Sequence, residues 1–320
     1  MPTVWLVIPC YNEEQVLPIT IPIITRKMNE IKEKHLVSDY RIAFVDDGSR
    51  DSTWEIISNF CCQDNCYLGI KLSRNKGHQN ALIAGMMYAK DKCDCVITLD
   101  ADLQDDIDVI EDFIVAYNEG NQIVYGVRSD RSTDTVFKRN TAQTYYKLLK
   151  AIGVETVYNH ADYRLVSQQA LNELDKYKET NLYLRGIIPQ LGFKSTTVPY
   201  SRNERVAGKT KYTFAKMLGL AFDGITSFSI RPVRFIAWLG IICAVLSVIG
   251  LIYALVSYFA GSTVPGWTAI VCSIFLIGGI QLLALGVIGE YIGKIFTEVK
   301  GRPRYIIEEI LNDIKQSKNL

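Results

Sequence analysis

Short apolar runs alternate with longer, charged stretches over the first third of the chain. Four runs rich in β-branched and aromatic residues predict buried β-strands, at residues 3–10, 41–46, 67–72 and 95–99. The stretches between them are helix-like, at residues 13–34, 51–62 and 77–92. Because strand and helix alternate, the pattern predicts an α/β domain with a mostly parallel sheet and helices on its faces.

The pattern changes near residue 233, where two long uncharged apolar stretches begin. As helices, residues 235–261 would extend about 40 Å and residues 267–289 about 35 Å, enough in each case to cross a bilayer. The short uncharged linker at 262–266 predicts a two-helix transmembrane hairpin. A pair of buried core helices is the alternative, which two uncharged runs of this length disfavour.

Charged residues on both sides of the hairpin predict its orientation. The basic residues are Arg231 and Arg234 before it, and Lys294, Lys300, Arg302 and Arg304 after it. By the positive-inside rule both flanks lie in the cytoplasm. The predicted parts are a cytosolic domain (1–212), an interfacial amphipathic helix (213–231), two transmembrane helices (232–293) and a cytosolic tail (294–320). The amphipathic segment fits packing on the cytosolic domain equally well, and residues 305–320 look like a short helix.

Composition and charge narrow the choice of partners. The formal net charge is +1 at pH 7, so no global basic field favours a nucleic-acid partner. No signal peptide is predicted, because Pro9 and polar residues 11–14 interrupt the first apolar run. The 8 cysteines are scattered, which favours reduced thiols in a cytosolic compartment. The spacing of those at 61–66 and 93–95 fits no standard zinc pattern, so small buried side chains are favoured over a metal site.

Polar residues follow each of the four predicted strands. The carboxyl ends of parallel strands meet at one edge of a sheet, where ligands bind. Asp100 and Asp102 are one residue apart and would share a face if the strand persisted there. Two carboxylates on one face suit Mg²⁺ or Mn²⁺, with a diphosphate completing the coordination shell. A solvated acidic turn is the alternative, and the short pattern alone does not decide between them.

Five sequence segments, followed by the two apolar stretches, resemble the motifs of the family-2 glycosyltransferases that act on polyprenyl phosphates. These enzymes are similar to dolichol-phosphate-mannose synthase. The segments are 9-PCYNEE-14, 45-VDDGSRDST-53, 73-SRNKGHQNALIAG-85, 100-DADLQDD-106 and 162-DYRLVS-167. The subgroup most similar is the bactoprenol glucosyltransferases of the GtrB type. The resemblance implies a GT-A type fold, a nucleotide-sugar donor and inversion at the anomeric carbon. It also implies a multi-pass protein of the bacterial inner (plasma) membrane that makes a lipid-linked sugar for cell-envelope glycosylation.

The resemblance also implies roles for individual residues. The residues matching the nucleotide site are Pro9, Tyr11, Asn12 and Glu13 for base and ribose, Asp46 and Asp47 for the uridine, and Lys76 and Ala101 as further substrate contacts. The metal motif is matched by Asp100 and Asp102, with Gln104 as a further ligand. The residues matching the reacting end are Asp162 and Arg164 beside the sugar, with Asp102 as a third catalytic group, and Arg128, Arg131, Arg205 and Lys211 toward phosphates. Whether Asp162 orients a substrate or acts as a base stays open.

The chain departs from the family pattern at two places, and alternatives to the expected donor sugar and function stay open. Lys76 stands where relatives often have an aromatic residue, and Asp105 and Asp106 stand where many have Pro; both bear on substrate choice. UDP-glucose is the expected donor, with UDP-N-acetylglucosamine and UDP-galactose as alternatives. A processive polysaccharide synthase would carry a Q-x-x-R-W element, which the chain lacks. A non-catalytic, membrane-anchored nucleotide-sugar binding protein is disfavoured by the intact Asp and Arg motifs.

Glycines recur in the second apolar stretch. Gly286, Gly289 and Gly293 follow one another at three- and four-residue spacing. This spacing allows close helix contact, either within the hairpin or between subunits of a homo-oligomer.

Overall fold

The computed structural model describes residues 1–128, 160–179, 183–201 and 266–313, and isolated positions between 233 and 256. The chain divides into two compact units. The first comprises Met1–Lys150, Glu155–Thr213 and Pro303–Leu320, and the second comprises Ala151–Val154 and Phe214–Arg302.

The first unit is built on an eight-stranded sheet covered by helices. Its strands are β1 (Thr3–Cys10), β2 (Asp39–Asp46), β3 (Tyr67–Leu72), β4 (Cys95–Thr98), β5 (Ile123–Arg128), β6 (His160–Ser167), β7 (Ser195–Tyr200) and β8 (Ile307–Leu311). Its described helices are α1 (Leu17–Glu33), α2 (Thr53–Gln63), α3 (His78–Ala89), α4 (Val109–Asn118), α5 (Gln168–Leu174) and α6 (Leu184–Gln190).

The sheet is mixed, with a parallel centre. The strand order is β7-β5-β6-β4-β1-β2-β3-β8. Strand β1 pairs in parallel with β2 and β4, β2 with β3, and β5 with β7, whereas β6 and β8 run antiparallel to their neighbours. The four strands predicted from the sequence are confirmed as β1 to β4. Helices cover the central strands, so Val4 to Ile8 of β1 are at most 1% exposed.

Helix α3 lies very close to the sheet at Gly85. A Cβ at this position would overlap Cγ1 of Val7 on β1 and lie 2.9 Å from Cγ2 of Val45 on β2. We expect Gly85→Ala to lower the free energy of unfolding by about 1–3 kcal/mol, because the core has no room for the methyl group. Chemical unfolding of purified protein in detergent measures this, and adding Val7→Ala should recover part of the loss. Equal losses in the single and double variants would contradict the packing explanation.

The segment after the second apolar stretch forms a strand, so the prediction of a helix over residues 305–320 is wrong for β8. Strand β8 pairs antiparallel with β3 and covers what would otherwise be an exposed sheet edge. Asn312 then ties the strand to the domain: its Nδ2 donates to the carbonyl oxygens of Tyr67 at 3.1 Å and Cys61 at 2.5 Å. Long-range pairing therefore outweighs the local helical pattern. Residues 314–320 lie outside the described residues.

The second unit contains a long apolar helix, α7 (Trp267–Val299). It includes the predicted second apolar stretch and continues past Lys294, beyond the predicted end of the span. Within it, Leu276–Val299 is long and apolar enough to cross a membrane by length and composition. The described positions of the first stretch, between 236 and 256, are helical. The rest of that stretch and the predicted interfacial helix at 213–231 lie outside the described residues.

The cysteines that the structure describes in the first unit are free thiols. Cys61 and Cys93 are buried, and burial raises the pKa of each to about 12. They are therefore protonated at neutral pH. Cys95 is also buried, on β4, whereas Cys62 is exposed.

Candidate active site

The loops after β1 and β2 lie side by side at the carboxyl edge of the sheet. The backbone N–H of Asn12 donates to Oγ of Ser49 at 3.0 Å, and Oδ1 of Asn12 accepts from the N–H of Arg50 at 2.9 Å. The N–H of Glu13 donates to Oγ1 of Thr53 at 2.8 Å. The sequence predicted a helix from residue 13, but these contacts hold residues 11–14 in a loop. Helix α1 therefore begins at Leu17. Residues 11–14 form half of a loop pair, with Asn12 in the left-handed region at φ 53°.

Asp46 is the last residue of β2 and Asp47 follows it, and both are buried. Asp47 accepts from the backbone N–H of Lys76 at 2.6 Å and of Gly77 at 2.9 Å, so it holds the loop after β3. Asp46 accepts from the N–H of Ser49 at 3.2 Å, and its Oδ2 has no hydrogen-bond partner within the described part of the chain. Burial raises the pKa of both carboxyls. An orphaned buried oxygen at the sheet edge fits a ligand N–H.

Gly48 allows this loop to touch the loop after β3. Its φ is +67°, and a Cβ would lie 2.6 Å from backbone atoms of both Arg74 and Asn75. We expect Gly48→Ala to lower the unfolding free energy by about 1–3 kcal/mol and to weaken severalfold the nucleotide binding that the sequence predicts for these loops, because the two loops must separate. Calorimetric titration with UDP and thermal unfolding measure the two effects.

Gly192→Ala is the matched control for Gly48→Ala. Gly192 has a similar φ of +70°, but a Cβ there would meet nothing within 4 Å. This control therefore has the backbone strain without the contact. Equal losses of nucleotide binding in both variants would contradict the role given to the loop contact.

Asp100 and Asp102 lie in a turn beyond β4, not on a continuing strand. The strand ends at Thr98, and Leu103 turns the chain with a φ of 46°. The condition on which the two carboxylates were expected to share one face, a strand that persists to residue 102, is therefore not met. The side chain of Asp100 is 43% exposed, and Asp102 and Gln104 are partly buried, with Oδ1 of Asp102 accepting from the N–H of Gln104 at 3.3 Å. Ala101 between them is buried.

The carboxylates of Asp100 and Asp102 fit a cation that takes most of its ligands from water and substrate phosphates. No group of three or more His, Cys, Asp or Glu residues in the described ranges is arranged to hold a metal ion. Mg²⁺ and Mn²⁺ take hard oxygen ligands, and Mg²⁺ commonly uses only one or two protein carboxylates beside water and substrate phosphates. Asp100 and Asp102 offer that number.

His78 links the turn after β4 to strand β6. From the first position of α3, its Nε2 lies 3.6 Å from Oδ1 of Asp100 and 3.9 Å from Oδ2 of Asp162. The sequence left its role undecided between a substrate contact and a structural histidine. The structure places it between the metal motif and the Asp162 element.

Two arginines hold Asp162. Arg164, fully buried on the same strand, donates from its NH2 to Oδ1 of Asp162. Arg185 on α6 donates from Nε to Oδ1 at 3.1 Å and from NH2 to Oδ2 at 2.8 Å. Burial alone would raise the pKa of Asp162, but Arg185 and Arg164 outweigh it and hold that pKa well below its usual range. A carboxylate stabilised in this way is a poor proton acceptor.

The ion pairs fix the ionisation of Asp162 over a wide pH range. Because its pKa is lowered on folding, the pairs stabilise the protein above the unfolded pKa of about 3.9, and this stability is lost as the pH falls through the lower folded value. We therefore expect no inflection from this carboxyl in kcat between about pH 5 and 9. The pH profile of wild-type turnover checks this. A rise or fall of kcat between about pH 5 and 9 whose midpoint moves in the Asp162→Glu variant would contradict this expectation.

Arg185 was not predicted from the sequence as a site residue, because it belongs to no recognisable motif. The backbone N–H of neighbouring Leu184 donates to Oε1 of Gln79 at 3.1 Å, which ties the start of α6 to α3. The NH1 of Arg164 donates to the carbonyl oxygen of Leu184 at 3.5 Å. Only tertiary packing brings Arg185 to Asp162.

Arg128, at the end of β5, lies in a partly buried network. Its Nε donates to Oη of Tyr200 at 3.3 Å, and its NH2 lies 3.7 Å from Oδ1 of Asp105. Tyr200 in turn donates to the same Asp105 oxygen at 2.5 Å. Asp105, one of the two departures from the family pattern, thus joins the metal-motif loop to β5 and β7.

The remaining predicted residues divide into two groups. Pro9 is buried at the end of β1, and Tyr11 and Lys76 are partly buried beside the same sheet edge. The carbonyl oxygen of Lys76 also accepts from Nδ2 of Asn80 at 2.8 Å. Arg131, Arg205 and Lys211 lie outside the described residues, so their predicted phosphate contacts stay predictions.

Comparison with known proteins places this site in context. The family described as "Glycosyl transferase family 2" matches residues 5–175. The uncharacterized glycosyltransferase YkoT of Bacillus subtilis (strain 168) is 50% identical, over 96% of this chain and 91% of its own length. The bactoprenol glucosyl transferase of Shigella phage SfII is 38% identical, over 95% of this chain and 97% of its own.

One solved structure is similar to this protein in fold. It is the mannosyltransferase PcManGT from Pyrobaculum calidifontis, in complex with GDP-Man and Mn²⁺. The match has a TM-score of 0.50 and 13% identity, and covers 94% of this chain and 88% of the other. At that identity the likeness bears on the fold alone, and it confirms the predicted GT-A type sheet with flanking helices.

Proposed function

Because the chain belongs to glycosyltransferase family 2, we propose that it transfers a glucosyl group from UDP-glucose to a polyprenyl phosphate such as undecaprenyl phosphate. The observation that carries the proposal is the 38% identity to bactoprenol glucosyl transferases over 95% of the chain. The carboxylates and arginines at the carboxyl edge of the sheet supply the chemistry that such a transfer needs. The product is a lipid-linked sugar for cell-envelope glycosylation.

The nucleotide lies along the loops after β1 and β2 in this proposal. Tyr11, Asn12 and Glu13 contact base and ribose, beside Pro9. The orphaned Oδ2 of Asp46 fits an acceptor for the imide N–H of uracil. Asp47 acts indirectly, by holding the backbone of Lys76 and Gly77.

Asp100 and Asp102 hold Mg²⁺ or Mn²⁺ in this proposal, with Gln104 beside them. When bound, the cation neutralises the diphosphate and stabilises its departure. The supporting observation is a pair of carboxylates in the turn after β4, one exposed and one partly buried, a number that suits a cation shared with a diphosphate.

The acceptor phosphate attacks the anomeric carbon, and the bond from that carbon to the UDP oxygen breaks, with inversion. A phosphate monoester is already anionic near neutral pH, so the reaction needs no strong base. The lowered pKa of Asp162 agrees with this, since its ion pairs with Arg185 and Arg164 suit orientation better than proton abstraction. Asp162 and Arg164 therefore position the reacting groups.

A membrane location explains the apolar surface of α7. Side chains along it are exposed in the chain alone, among them Leu276 at 66%, Leu282 at 72% and Leu285 at 63%. So much exposed apolar surface requires a lipid or protein partner. We propose that 232–293 crosses the bacterial plasma membrane twice, that 213–231 lies at its surface and that the first unit is cytoplasmic, facing the acceptor phosphate.

A donor screen tests the proposed function. Purified protein in detergent, undecaprenyl phosphate and Mg²⁺ are incubated with radiolabelled UDP-glucose, UDP-N-acetylglucosamine or UDP-galactose. We expect label in the organic phase with UDP-glucose, and much less with the other two donors. Transfer mainly from another donor would correct the sugar. No lipid-soluble product from any donor would contradict the enzyme and favour a nucleotide-sugar binding protein.

A further inference from the structure

The loop that carries the metal motif, residues 99–108, is tied to the sheet by two tyrosines from strands later in the chain. The Oη of Tyr163 on β6 donates to the carbonyl oxygen of Asp106 at 3.0 Å. The Oη of Tyr200 on β7 donates to Oδ1 of Asp105 at 2.5 Å. Because Asp105 is buried, the second contact lies inside the domain. The two contacts hold the loop directly after the metal motif.

Packing holds both tyrosine rings in place. Tyr163 and Tyr200 are buried, and their rings meet edge to face with centroids 5.5 Å apart. The ring of Tyr163 also lies 4.6 Å from that of Phe113 on α4. A Cβ at Gly126 would lie 3.0 Å from a ring carbon of Tyr200, so β5 closes that side. A hydroxyl group on a ring held in this way has a well-defined position.

Strand β6 connects the metal-motif loop to the Asp162 element. Successive side chains of a strand point to opposite faces, so Asp162 and Arg164 share one face and Tyr163 points to the other. On that other face Tyr163 belongs to the hydrophobic core. The same strand therefore holds Asp162 on one side and the backbone of Asp106 on the other.

Hydrogen bonds inside the metal motif are longer than the two tyrosine contacts. The N–H of Leu103 donates to the carbonyl oxygen of Asp100 at 3.4 Å, and that of Gln104 to Oδ1 of Asp102 at 3.3 Å. Bonds of this length are weak. The positions of the two carboxylates therefore depend on how firmly the ends of the turn are held, by β4 before it and by the tyrosines after it.

We propose that Tyr163 and Tyr200 are positioning residues for the cation, which hold the end of the turn so that Asp100 and Asp102 present their carboxylates to one ion. Neither tyrosine contacts the ion in this proposal. A site whose ligands are held in place before binding loses less conformational entropy when the ion binds, so its affinity is higher. The proposal rests on the proposed function, because it assigns supporting residues to the cation site of that reaction.

Tyr163→Phe and Tyr200→Phe test the proposal, since each removes one hydroxyl group and keeps the ring. The matched control is Tyr40→Phe, because buried Tyr40 at the start of β2 donates to Oδ1 of Asn29 at 2.6 Å. The control loses a similar hydrogen bond outside the metal-motif loop. Thermal unfolding in detergent compares the stability of the three variants.

Two further readouts report on the cation site itself. Electron paramagnetic resonance of free Mn²⁺ gives its dissociation constant in the presence of UDP. Hydrogen exchange of residues 99–108 in the metal-free protein reports how firmly the loop is held. We expect each site variant to bind Mn²⁺ about tenfold more weakly and to exchange faster in this loop. The Tyr40→Phe variant should match wild type in both measurements.

Three outcomes would overturn the proposal. The first is Mn²⁺ affinity within about twofold of wild type in both site variants, even if their stability fell, since the hydroxyl groups would then contribute to stability alone. The second is an equal loss of Mn²⁺ affinity in Tyr40→Phe, which would indicate general destabilisation. The third is wild-type exchange of residues 99–108 in both site variants. If one site variant does not fold, the other still decides.

Asp100→Asn, measured alongside, distinguishes failure of the proposed function. A wild type that binds no Mn²⁺ with UDP, or an Asp100→Asn variant that binds it equally well, would contradict the proposed cation site and the tyrosine proposal with it. Normal Mn²⁺ binding that is lost in Asp100→Asn but unchanged in both tyrosine variants would overturn the tyrosine proposal alone.

Discussion

Asp100→Asn is expected to reduce sugar transfer by about a hundredfold to a thousandfold, since it removes a charged group from the proposed binding site of the cation that would neutralise the diphosphate. The side chain of Asp100 is 43% exposed in the turn after β4, so the substitution should leave the fold intact. Initial rates over a range of Mg²⁺ and Mn²⁺ concentrations measure the effect. The residual activity should require higher metal concentrations than wild type.

Asp91→Asn is the matched control for Asp100→Asn. Asp91 is 72% exposed and lies before β4, away from the carboxyl edge of the sheet. Its rate and metal dependence should equal those of wild type. Wild-type turnover of the Asp100→Asn variant in Mg²⁺ would contradict the assignment of Asp100 as a metal ligand.

Asp162→Asn is expected to reduce both activity and stability. The side chain of Asp162 is 17% exposed and opposes two arginines, so the variant takes the paired carboxylate away from the buried guanidinium of Arg164. Breaking a buried ion pair in this way costs about 3–5 kcal/mol of unfolding free energy. Transfer should fall by at least about a hundredfold, because the arginines lose the group that positions them. Thermal unfolding in detergent and the transfer assay measure the two effects.

A second substitution separates stability from function. Adding Arg164→Met to Asp162→Asn removes the buried, unpaired cation and should recover much of the stability. It should not recover transfer, since the positioning carboxylate remains absent. An Asp162→Asn variant with wild-type turnover would contradict the role given to Asp162.

The local pattern of apolar and polar residues was sufficient to predict the central strands of the sheet. Strands β1 to β4 are short apolar runs, and their boundaries follow from where each run meets polar residues. The parallel order follows from the helices between them. Strand β8 was not predictable in this way, because its stability comes from pairing with β3, more than two hundred residues earlier in the chain.

The candidate site was predictable in residue type but only partly in geometry. Asp100 and Asp102 stand out as a charged pair after an apolar strand, yet the strand ends at Thr98 and the chain turns, with Leu103 in the left-handed region. The second partner of Asp162 was not predictable, because Arg185 reaches it only through the packing of α6 on α3 and β6. Asp105 was noted as a departure, and only the structure reveals its contact with Tyr200.

The central claim is that the turn after β4 binds a cation together with the diphosphate of the donor. Anomalous diffraction from crystals containing UDP and Mn²⁺ tests it most directly. The account predicts a manganese peak within bonding distance of Asp100 and Asp102, with the diphosphate bound to the same ion and uracil beside Asp46. Manganese and diphosphate bound away from residues 100–104 would contradict it.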